Sequence, residues 1–141
     1  MLQAIELRIE RRIEASLATV WACITTPELI AHWFFTVDFK PVAGHRFTVT
    51  GASVPGWRGW TNVEILELEP PHRMVWKFDC VDEAPPSRVT FDLTEEGGGV
   101  RLVLTHEGEV PARTRQLLKE GWSSYLPRLA GLAGLAAKMP S

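Results

Sequence analysis

An α+β fold, in which a curved antiparallel sheet wraps one long carboxy-terminal helix, is predicted by two features of the sequence. Through most of the chain apolar residues recur at every second position, the period of a half-buried strand. From Pro111 onward the period changes, and Leu118, Trp122, Leu126, Leu129 and Ala133 fall on one face of a helix. A sheet with one apolar face and a helix with one apolar stripe bury both when the sheet curls and the helix lies across its concave side.

The elements follow in order. Ile5, Leu7, Ile9 and Ile13 alternate with Glu6, Arg8, Glu10 and Arg12, and only Arg11 interrupts the apolar side of this first strand. Ser16 is placed to cap a helix carrying Leu17, Val20, Trp21 and Ile24. Thr26 and Pro27 then supply a cap and a first-turn proline for a second helix, which turns Leu29, Ile30 and Trp33 inward. Phe35, Val37 and Phe39 alternate as a second strand, and Phe47 and Val49 as a third. After the loop SVPGWRG, Trp60 to Glu69 forms a fourth strand, with a bulge expected where Ile65 and Leu66 lie side by side. Pro70-Pro71 turns the chain into three hairpin-linked strands marked by Met74, Trp76 and Phe78, by Val89, Phe91 and Leu93, and by Val100, Leu102 and Leu104. The expected sheet has seven strands, with two short helices between the first and second. Pro127 is expected to bend the long helix.

Composition narrows the functional classes. A chain of 141 residues, 45% hydrophobic and 23% charged, suits a single domain over residues 1–141. The formal net charge of −2, with Lys and Arg scattered, supplies no footprint for nucleic acid. No apolar run reaches membrane-spanning length and the amino terminus has no signal-peptide core, so a cytoplasmic location without membrane insertion is expected. Cys23 and Cys80 are expected to be buried, reduced thiols. No pair among His32, His45, His72 and His106 has metal-ligand spacing, and no cofactor motif, nucleophile elbow or phosphate-binding glycine loop is present.

The element order, together with Ala15, Val20-Trp21, Thr25 to Glu28, Trp33, Glu69-Pro70-Pro71, Trp76, Thr105-His106, Gly108 and Gly121-Trp122, resembles the helix-grip fold of the START-like SRPBCC superfamily. Within it the sequence is most similar to the bacterial branch named after the activator of the ninety-kilodalton heat-shock chaperone's ATPase. The resemblance implies a cavity between the sheet and the long helix, one end of which the two short helices close.

Against that expectation, Trp33, Phe47, Trp60, Trp76, Phe91 and Trp122 are candidate cavity-lining rings, with Tyr125 at the edge beside Trp122; each taken singly also serves as a core filler. His106 shares the inward parity of Leu102 and Leu104. It either meets a ligand head group at an open rim near Gly108 or is satisfied inside the protein by backbone or by Glu109. Trp57 is placed as a lid over the open end or as an exposed loop residue. The function expected is binding of a small, largely apolar molecule, lipid-like or aromatic. The alternatives are a chaperone-ATPase-modulating interaction module and a cavity enzyme of the polyketide cyclase or hydrolase type.

Overall fold

The computed structural model describes residues 1–138. Its elements are β1 (Leu2–Ile13), α1 (Leu17–Thr25), α2 (Pro27–Trp33), β2 (Arg46–Thr50), β3 (Trp60–Glu69), β4 (Arg73–Asp79), β5 (Ser87–Glu96), β6 (Gly99–Pro111) and α3 (Ala112–Lys138). The strands form one antiparallel sheet in the order β1-β6-β5-β4-β3-β2. Helix α3 packs against β1 and β6 and against both short helices.

The sheet has six strands where the sequence pattern predicts seven. The missing one is the segment around Phe35, Val37 and Phe39. Val37 and Phe39 are buried and their neighbours Asp38 and Lys40 exposed, so the alternation is real. Period two, however, reports only an extended backbone with one side inward; a strand also needs a partner to accept its ladder. Among the described residues no backbone–backbone hydrogen bond involves 35–39, and β2 pairs with β3 alone.

The local chemistry of the remaining elements matches the sequence closely. Ser16, extended at φ −70° and ψ 157°, accepts a hydrogen bond from the Thr19 backbone N–H and starts α1. Thr26 holds the corresponding position before α2, but its hydroxyl makes no capping bond; Pro27, which has no N–H to satisfy, lessens the need for one. In β3, Ile65 pairs with Trp76 and Glu67 with Val75, leaving Leu66 unpaired and outward. That bulge resets the parity, so that Ile65 and, three residues later, Leu68 both turn toward the core.

Helix α3 continues through Pro127 and buries Trp122, Leu126, Leu129 and Ala133 against Phe91, Leu93, Leu102 and Leu104 of the sheet and the short helices. Each such large apolar side chain taken fully out of water contributes about 1.5–3 kcal/mol. No connecting residue separates β6 from α3: Pro111 pairs with Leu2 as the last ladder residue, and Ala112 opens the helix.

Candidate functional site

Aromatic rings fill the middle of the concave side. Trp76 lies edge-on to Phe91 at 4.8 Å and to Phe47 at 5.6 Å, and Phe91 lies edge-on to Trp33 at 6.4 Å and to Trp122 at 6.1 Å. Packing becomes incomplete toward the end of the sheet where β2, β3 and β4 face the first half of α3. A cavity of about 170 Å³ opens there. Val49, Thr61, Phe78 and Cys80 form its sheet side, and Thr114, Leu117, Leu118, Gly121, Trp122 and Tyr125 its helix side. Phe34 and Phe35, just after α2, close one flank, and Val54, Gly56 and Trp57 of the 51–59 loop cover the top. No lining residue is charged.

The loop over the cavity is tied down on both sides. Trp57 lays its ring on Gly51, where an added Cβ would meet it at 2.8 Å, and its Nε1 donates to the Thr61 hydroxyl at 3.0 Å. Thr114 at the start of α3 donates to the Gly56 carbonyl at 2.6 Å. Gly56, at φ +94°, has no room for a Cβ beside Arg113, which explains glycine there. On the other side Arg58 donates to the Asp79 carbonyl at 2.8 Å and to the Asp82 carboxylate at 2.7 Å, with its guanidinium over the Trp60 ring at 4.7 Å. Trp57 therefore sits as a half-buried lid.

The cavity's titratable groups are poor proton carriers near neutrality. Burial pushes the Cys80 thiol up to about 11 and raises the Tyr125 phenol above its usual range. Among the described residues no cluster of three or more His, Cys, Asp or Glu is placed to hold a metal ion.

Of the eight residues singled out by sequence, the cavity lining includes Trp122 and Tyr125. Trp33, Phe47, Trp76 and Phe91 are buried fillers of the adjoining core, and the Trp33 indole donates to the Cys23 carbonyl at 2.8 Å, fixing α2 on α1. Trp60 is a correction. It is 44% exposed on the outer face, because Thr61, Val63 and Ile65 hold the inward parity of β3.

His106 is a second correction: it is fully buried and faces no open rim. The Trp122 indole donates to Nδ1 at 3.0 Å, so Nδ1 is an acceptor and the ring proton resides on Nε2. Nε2 lies 2.7 Å from Ser87 Oγ and donates to it; the Ser87 hydroxyl in turn donates to the Phe78 carbonyl at 3.1 Å. Neither backbone nor Glu109 is its partner. Gly108, at φ +150°, serves the same cluster, since a Cβ there would collide with Ser87 at 2.9 Å. Burial lowers the His106 pKa from its ordinary 6.5 to about 4.

Phe34, Phe35, Phe78, Thr61, Cys80, Thr114 and Leu117 line the cavity without having been singled out. For Phe78 a signal existed in its shared parity with Met74 and Trp76. For Thr61 the signal was a threonine on the inward parity of β3.

A six-stranded curved sheet gripping a helix, with an apolar cavity at one end, defines a protein of the START-like SRPBCC type. The chain belongs to the Activator of Hsp90 ATPase homolog 1-like protein family, whose model matches residues 14–134. Among solved structures, protein MLL2253 from Mesorhizobium loti is 29% identical with a TM-score of 0.82, over 96% of this chain and 99% of that one. CalU16 from Micromonospora echinospora is 23% identical with a TM-score of 0.69, over 97% and 94% of the two chains. DynU16, a protein of the dynemicin biosynthetic locus, is 23% identical with a TM-score of 0.76; the match covers 89% of this chain but 46% of DynU16. No match was found among curated proteins. Among the described residues no helix is long and apolar enough to cross a membrane.

Proposed function

We propose that the protein binds a small, neutral, largely apolar molecule in the cavity beneath the 51–59 loop. The observation that carries this reading is the lining itself: aromatic and aliphatic side chains around about 170 Å³, with no charged group among them. An apolar cavity of about 150 Å³ accommodates one benzene, so the volume suits a single-ring compound or a short alicyclic one. Residues 1–141 act as one unit in this reading, with the sheet and α3 as walls and the loop as cover. Acid–base chemistry finds no support, because neither Cys80 nor Tyr125 exchanges protons readily near neutral pH. An interaction module also finds no specific support: the exposed large apolar residues Met1, Val42, Val54, Trp60, Leu66 and Leu135 are spread over the first residue, two loops, β3 and α3.

Titration with ethylbenzene, followed by tryptophan emission, to which the lining residues Trp57 and Trp122 contribute, tests the proposal. Saturable binding at one site is expected, and Leu118→Trp, which fills the cavity from the helix side, should abolish it while the protein still melts cooperatively. Binding that does not saturate, or that ignores the substitution, refutes it.

A further inference from the structure

We infer that Trp76 is the polar anchor of a deeper ligand position, reached when the Phe34 ring swings aside, and that the ligand carries a carbonyl oxygen on a neutral frame. This rests on the cavity reading above.

The starting point is one atom. Trp76 is 1% exposed, and its Nε1 has no hydrogen-bond partner among the described residues. Other indoles of this region are all paired: Trp33 with Cys23, Trp57 with Thr61, Trp122 with His106. A buried N–H without an acceptor is uncommon and costly, and each instance calls for a reason.

Position supplies the reason. Trp76 and the cavity-lining Phe78 are on the same face of β4, one pleat repeat apart, or about 7 Å. Phe34 also lines the cavity, with its ring 5.8 Å from that of Trp76 and stacked 5.8 Å from that of Trp122. A single phenyl ring thus both lines the cavity and packs on the Trp76 ring. That wall is held by ring packing, on Phe35 at 5.0 Å and Tyr125 at 5.2 Å among others, and by one backbone hydrogen bond from its N–H to the Ile30 carbonyl at 2.9 Å. Phe34 ends α2 at φ −126° and ψ −109°, and the 35–39 backbone after it makes no backbone–backbone hydrogen bond. Moving it breaks side-chain packing but no ladder.

The chemistry of the ligand follows from the donor. An indole N–H only donates, so its partner must accept. No cationic side chain lines the cavity to offset a carboxylate, so the acceptor is neutral. A ketone or ester oxygen on a single-ring body meets both conditions.

Acetophenone and ethylbenzene, similar in shape and differing in the carbonyl, are the probes. Trp76→Phe is expected to weaken acetophenone about three- to tenfold, the loss of one hydrogen bond, and to leave ethylbenzene within about twofold. Phe34→Ala, which removes the wall, should strengthen acetophenone more than ethylbenzene. In the unaltered protein, the Trp76 indole proton should move downfield with acetophenone and not with ethylbenzene, a readout that does not depend on any variant folding. Equal effects on the two probes, or an indole resonance indifferent to the ketone, overturn the inference and leave the cavity reading standing. Failure of the unaltered protein to bind either probe overturns the cavity reading first, and this inference with it.

Discussion

The Nδ1 atom of His106 faces an indole that can only donate, and this fixes the protonation state of the whole relay from Trp122 through His106 and Ser87 to the Phe78 carbonyl. A second ring proton would put a charge on a fully buried ring, out of reach of water. The folded-state pKa, about 4, therefore lies below the ordinary 6.5 of an unfolded chain. Between these values the unfolded chain binds the extra proton, so stability is fully present above pH 6.5 and falls as pH drops toward 4. The slope reaches about 1.4 kcal/mol per pH unit and the total is about 3 kcal/mol. His106→Phe should lack this acid-side loss, so the parent's advantage over the variant shrinks as pH falls from 6.5 toward 4, while the unpaired Trp122 indole lowers the variant's stability at pH 7.5 by about 1–3 kcal/mol. Denaturant melts across pH 4 to 7.5 check both; a variant as stable as the parent at pH 7.5, or an unchanged acid slope, would contradict the relay. Strand parity alone put His106 inward. It could not reveal that both ring nitrogens are taken, because one partner comes from α3 and the other from β5, across distances in sequence that no local pattern spans.

Among the elements, the 51–59 loop has the most to do with access to the cavity, and Arg58 is its main outer tether. The side chain is mostly buried, yet two of its partners, the Asp79 carbonyl and the Asp82 carboxylate, belong to β4 and the turn after it. Arg58→Ala removes charge-assisted bonds together with the cover over Trp60. It is expected to raise both association and dissociation rates of ethylbenzene with about the same ratio, since the cavity walls are untouched; stopped-flow tryptophan emission reads both rates, and either unaltered rates or an affinity change beyond about fivefold would contradict a covering role. The loop's turn chemistry was legible from its Gly and Pro residues. Which tryptophan faces the cavity was not: Trp60 was expected among the lining rings, and register gave the inward place to the small, polar Thr61.

Across the whole molecule, the parts most readable from sequence were those whose signal is periodic and local: the Ser16 cap, the β3 bulge, the helical stripe of α3. The segment around Phe35 to Phe39 was misassigned because alternation records burial and says nothing of a neighbour to pair with. The cavity itself was legible as an expectation of the fold, whereas its location at one end depends on which rings interlock in the middle, a matter of three-dimensional packing. The seamless passage from β6 into α3 has a kinematic consequence. A rod joined to a plate without a flexible joint cannot pivot at that end, so the helix cannot lift away from the sheet unless the Leu2–Pro111 end of the β1–β6 ladder tears with it. Traffic into the interior is left to the two coverings that lack such a weld, the 51–59 loop and the stretch from Phe35 to Phe39, which joins no ladder. Deuterium uptake should accordingly be fastest at backbone amides 35–40 and 51–59 and far slower from Leu117 to Tyr125, and ethylbenzene should slow the first two while leaving the helix unchanged; early exchange along the helix would show that the joint flexes after all.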